Sequence, residues 1–131
     1  IPVTKFLIIG LGGGLGAILR YLLSGLVQNW SKSVSFPYGT LAVNLLGCLL
    51  IGFLSGLVET RGLFSPEARL FIFIGLLGGF TTFSTFGNET LNLILSRESL
   101  LAFLNLALHI ILGLALVWAG RVLVSLLWRV T

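Results

Sequence analysis

Gly78-Gly79-Phe80-Thr81-Thr82-Phe83-Ser84-Thr85-Phe86 interrupts the third long apolar run of this chain. Two glycines, four hydroxyls and three phenylalanines thereby fall near the expected middle of a membrane span. In hydrocarbon, unpaired backbone and hydroxyl groups are costly, so such a stretch persists only where protein surrounds it or a cavity runs beside it. It is expected to break the third helix and to form the working site.

The rest of the chain sets the class. Of 131 residues, 56% are hydrophobic and only 9% charged, with a mean hydropathy of +1.10. Soluble domains carry about 25% charge, so an all-α integral membrane protein is expected. Eight Lys and Arg against four acidic residues give a net charge of +4. The charges punctuate the ends of apolar runs and form no basic stripe, which argues against nucleic-acid binding. The lone cysteine, Cys48, lies within an apolar run and reads as packing. The chain has no methionine and starts at Ile1, so its start is expected to be processed or engineered; the uncharged stretch before Lys5 does not resemble a signal peptide.

Four segments are long enough to cross a bilayer, which takes about 20 helical residues. They run from Phe6 to Val27, Leu41 to Val58, Leu70 to Leu95 and Leu100 to Trp128. The connections are short, so residues 1–131 are expected to form a single four-helix transmembrane domain. Ser65-Pro66-Glu67 reads as a helix start, with serine as cap and proline in the first turn. An even number of spans puts both termini and the second loop on one side, together with Lys5, Arg61, Arg69, Arg121 and Arg129. Arg20, Lys32 and Arg97 fall on the other. Five against three is a slight bias, so insertion in both directions is expected. No internal inverted repeat is visible, and an antiparallel, dual-topology homodimer would supply one.

Gly12 and Gly16, Gly52 and Gly56, and Gly75 and Gly79 each have the four-residue spacing that lets membrane helices approach closely. Gly12 to Ala17 also matches a permissive dinucleotide-binding pattern, but with no strand before it and no acidic residue before Glu59 that match is spurious. Polar residues within the spans are few. Arg20 either snorkels to the interface or draws anions toward a vestibule. The Asn44 carboxamide either bonds a neighbouring helix or faces a pore. Asn105 and His109 share one face of the last span, where a single histidine suits a helix contact better than a metal site. Glu89 is either an end-of-span carboxylate or a pore-mouth group.

Three strings together resemble the Fluc fluoride channels over nearly the whole chain. They are Gly12-xxx-Gly16-xxx-Arg20-Tyr21, Gly39-Thr40-Leu41-Ala42-Val43-Asn44-Leu45-Leu46-Gly47, and Gly78 through Phe86. The resemblance implies two antiparallel copies with two fluoride paths along their interface. Fluoride is small and strongly hydrated, so a narrow path must replace its water with donors. Thr82, Ser84 and Asn44 carry such groups, and Phe83 and Phe86 can present positive ring edges. By similarity, Asn44, Phe83 and Phe86 line the pore, joined by Thr82, Ser84, Arg20, Glu89 and His109. The resemblance also implies a structural sodium ion at the dimer centre, held by the main-chain carbonyls of Gly78 and Thr81, where a helix end carries partial negative charge.

The last span departs from some relatives, with Gly113 and Val117 where hydroxyls often extend the path and His109 one turn earlier. The expected function is passive export of fluoride, without chemistry, across the plasma (inner) membrane of a prokaryote. Two alternatives stand. A small four-helix multidrug or proton-coupled exporter would be expected to carry a glutamate in its first span, where this chain has Arg20. A non-transporting assembly subunit explains the glycine faces and leaves the hydroxyl and phenylalanine cluster without a purpose.

Overall fold

A computed structural model describes residues 2–128; Ile1 and Arg129, which entered the expectations about the start and the charge bias, lie outside them. Among the described residues the architecture is all helical, without a strand. Four helices are long and apolar enough to cross a membrane: Val3–Ser31, Tyr38–Arg61, Pro66–Leu95 and Ser99–Leu127. They are called the first to fourth spans below.

The first two spans overrun the expected apolar runs by a few residues at both ends because the caps lie beyond the apolar positions, the third does so only at its start, and the fourth ends at Leu127, just short of the expected Trp128. The first ends at Lys32 in the left-handed region (φ 54°). The second ends at Gly62, where a φ of 59° suits glycine and its N–H reaches the Val58 carbonyl at 3.0 Å. The third starts as its sequence predicts, with the Ser65 hydroxyl accepting from the Ala68 N–H at 3.2 Å. Gln28 closes the first loop: its amide nitrogen donates to the Ser33 and Phe36 carbonyls and its Oε1 accepts from the Gly39 N–H.

The third span is not uniform. Leu70–Leu77 is π-helical, Gly78–Phe80 returns to α, Thr81 and Thr82 have extended dihedrals (φ −92°, ψ 158° and φ −150°, ψ 115°), and Phe83–Leu95 is α-helical. The fourth span carries a second π-helical stretch at Leu108–Leu112. Long π runs are rare, and these two face the same cavity, described below.

Packing follows the small residues. A Cβ on Gly12 would lie 2.6 Å from the Phe71 carbonyl oxygen and 3.1 Å from Gly75 Cα, so the first and third spans touch backbone to backbone. The second and fourth meet likewise: Gly52 faces the backbone of Val117, and a Cβ on Gly120 would lie 2.5 Å from both Leu49 O and Phe53 N. Gly52 and Gly56 were legible as a packing face; Gly120, which meets Gly52 from the other side, was not singled out by any spacing. Cys48 lies against Gly113, where a Cβ would be 3.5 Å from its sulfur. Between 11% and 33% of each span's apolar window is buried. Most of the apolar surface is thus turned outward, as hydrocarbon favours and water does not.

Candidate functional site

Where the third span leaves helical geometry, Thr82 loses its backbone partners, and the second span supplies replacements. The Thr82 N–H donates to Asn44 Oδ1 at 2.8 Å, and Asn44 Nδ2 donates to the Thr82 carbonyl at 3.1 Å. One carboxamide thus satisfies both main-chain groups of the extended residue. Thr82 also caps the helix that follows, its hydroxyl accepting from the Thr85 N–H at 3.3 Å and donating to Thr85 Oγ1 at 3.0 Å. These bonds have a consequence for the carbonyls upstream. In a continuous helix the N–H of Thr82 would bond the Gly78 carbonyl and that of Thr85 the Thr81 carbonyl. Both donors are engaged elsewhere, with Asn44 and with the Thr82 hydroxyl.

Asn44 Nδ2 lies 3.0 Å from His109 Nε2, which joins the second span to the fourth. His109 Nδ1 lies 3.0 Å from the main-chain carbonyl of Asn105, one turn earlier. The two Asn44 amide protons are therefore both engaged, by Thr82 and by the imidazole. The buried Phe86 ring stacks obliquely on His109 with centroids 4.2 Å apart, and Phe83 lies 5.6 Å from Phe86. Together with Gly47, Cys48, Phe73 and Thr81 these groups line a cavity of about 430 Å3.

A second cavity of about 250 Å3 opens on the other side of Thr82, bounded by Arg20, Ser24, Thr40 and Thr85. Arg20 makes no ion pair among the described residues, and its buried Nε has no hydrogen-bond partner. A third, wider cavity of about 680 Å3 shares Ser24 and Thr40 with the second and is lined further by Gln28, Glu89, Asn92 and Glu98. Glu89 Oε1 accepts from the Thr40 hydroxyl at 2.8 Å. The three cavities thus adjoin in series, the first two through Thr82 and the last two through Ser24 and Thr40.

Of the residues expected at the site, Asn44, Thr82, Phe83, Phe86 and His109 line one cavity with Gly78 and Thr81, Arg20 lies beyond Thr82, and Glu89 lies in the wide one. Ser84 lines none of these cavities; it is exposed, with its hydroxyl 3.5 Å from that of Thr82. Thr40 and Thr85 belong to the cluster and were not singled out. Thr40 precedes Asn44 by four residues, which puts both on one helix face, and Thr85 follows Thr82 at capping distance, so both had a legible signal. Asn105 is fully buried and donates to the Thr90 hydroxyl at 2.9 Å, a contact between the third and fourth spans.

A family model described as "CrcB-like protein, Camphor Resistance (CrcB)" matches residues 7–121. The chain belongs to the CrcB family. Among its curated relatives, a "Fluoride-specific ion channel FluC" of Flavobacterium psychrophilum is 46% identical over 115 residues, 88% of this chain and 92% of the relative. A protein of the same name from Methylobacillus flagellatus is 46% identical over 124 residues, 93% and 95% of the two chains. "Fluoride-specific ion channel FluC 1" of the archaeon Methanosarcina acetivorans is 44% identical over 116 residues, 88% and 87%. The resemblance read from the three motif strings is borne out. With four membrane-length helices, this CrcB member is an integral, multi-pass protein of the plasma membrane.

Proposed function

We propose that this protein is a passive, fluoride-selective channel and not an enzyme, a single four-helix domain working as an antiparallel, dual-topology homodimer. The observation that carries this reading is a polar, cavity-lined interruption at Thr81 and Thr82 in a chain nearly half identical to proteins named fluoride-specific ion channels. The three cavities in series suit an ion path. Arg20, without an ion-pair partner among the described residues, would draw an anion inward from the wide cavity. Past Thr82, hydroxyls and the edges of the Phe83 and Phe86 rings would replace water around it.

Asn44 combines the two parts open to it, bonding the neighbouring spans while lining the cavity. With both amide protons engaged by Thr82 and His109, it acts first as the clamp that holds the interruption and only by exchange as an anion donor. The second copy is supported by Phe83, 83% exposed although it borders the cavity, and by exposed Ser84 beside it. A partner across that face would turn both toward a shared path.

A sodium ion fits the Gly78 and Thr81 carbonyls, since the N–H groups that would otherwise bond them are engaged elsewhere. When bound, it would supply positive charge where a helix end concentrates negative charge. Liposomes loaded with fluoride or with chloride, the potential clamped and release followed by ion-selective electrodes, test the function. Rapid fluoride release with chloride retained is expected. Equal release of both anions would remove the selectivity, and release of neither would favour an assembly subunit.

A further inference from the structure

The bond between Asn44 and His109 can be written with its protons assigned. The Thr82 N–H requires an oxygen at the atom it meets, and the Thr82 carbonyl requires a donor, which together fix the orientation of the Asn44 carboxamide. His109 Nε2 therefore faces an amide N–H and must accept. On the other side of the ring, Nδ1 faces a main-chain carbonyl and must donate. Only the neutral ring with its proton on Nδ1 satisfies every member of this chain of bonds.

We propose that His109 is a positioning residue: its neutral ring, protonated on Nδ1, holds the Asn44 carboxamide against Thr82, and protonation of the ring releases that hold and slows fluoride passage. The proposal deepens the channel reading and its transport half rests on it. A proton on Nε2 would set one N–H against another across 3.0 Å, and Phe86, stacked at 4.2 Å, limits the room for the ring to turn. Asn44 then swings away and leaves the Thr82 N–H unpaired. The surroundings offer the imidazolium no counter-charge. The second span presents Asn44 and Cys48 to this cavity, the third Phe86 and Thr82, and Cys48 is the one other titratable side chain among its lining residues. Glu89 lines a different cavity and is bonded to Thr40. A cation held there without a carboxylate would retain an anion and retard its passage.

The test compares wild type with His109→Gln and His109→Leu in liposomes at symmetric pH from 8 to 5.5, with the leak of protein-free liposomes subtracted. Glutamine keeps an acceptor for Asn44 but does not titrate. Wild-type fluoride efflux is expected to fall at least ~5-fold toward the acid end of this range, since the Asn44 amide N–H facing Nε2 favours the neutral ring. Whatever its rate at pH 8, His109→Gln should show no such fall, whereas His109→Leu should be slow throughout, by about tenfold. A shared pH profile for wild type and His109→Gln would overturn the proposal. A second readout needs no transport. The chain has one histidine, so 15N-histidine spectra report this ring alone, and the Nδ1–H form should dominate at pH 8 and give way in Asn44→Ala. The Nε2–H form in wild type would overturn the positioning role even if fluoride is conducted. The expected tautomer without fluoride efflux at any pH would overturn the channel reading and the transport half, and would support the positioning half.

Discussion

Gly120→Ala tests whether the second and fourth spans are held at backbone contact. The added Cβ would lie 2.5 Å from Leu49 O, 2.5 Å from Phe53 N and 2.9 Å from Gly52 C, all of them main-chain atoms that cannot rotate away. Non-bonded carbon contacts settle at about 3.5 Å, so the two spans must part locally by roughly 1 Å. Overpacking of this kind costs about 1–3 kcal/mol, partly offset by the better helix propensity of alanine, about 1 kcal/mol. The net loss should be at most about 2 kcal/mol, a lowering of the melting temperature by up to several degrees. Function should suffer more. The Asn44–His109 bond joins the same two spans at 3.0 Å, and carrying even half of that separation to it would bring it to the limit of a hydrogen bond. Gly10→Ala is the control, because nothing lies within 4 Å of a Cβ there. Thermal unfolding in detergent and fluoride efflux from liposomes are measured for both variants. Gly120→Ala melting and conducting like wild type while Gly10→Ala is impaired would refute the packing scheme.

Asn44→Ala removes three hydrogen bonds and leaves the Thr82 N–H to water in the cavity; fluoride efflux should fall about tenfold or more and stability by about 1–3 kcal/mol, read by liposome flux and unfolding in detergent. Phe83→Ile should slow efflux while leaving the fold of each copy intact, read by helical content and unfolding in detergent, since the ring is 83% exposed in one copy and contributes little to its core. Glu59→Gln breaks the 2.6 Å pair with Arg121, whose side chains are 58% and 46% exposed, so unfolding measurements should show a loss below about 1 kcal/mol.

Hydropathy alone determined much of this protein. Apolar runs of membrane length are a local property, because each span must satisfy its own backbone hydrogen bonds in lipid, and four of them are legible without a structure. The same logic marks the Gly78 to Phe86 stretch as the exception, since hydroxyls and glycines in mid-span demand partners. The pairs at Gly12 and Gly16 or Gly75 and Gly79 were legible for a related reason: small residues one turn apart are a property of one helix face. Which face meets which is a property of two helices. Asn44 and Thr82 are 38 residues apart and Asn44 and His109 are 65 apart. No periodicity along the chain specifies those separations, so the engagement of the Asn44 amide protons, the assignment of the His109 proton and the release of the Gly78 and Thr81 carbonyls from helical bonding were decided only when the spans packed.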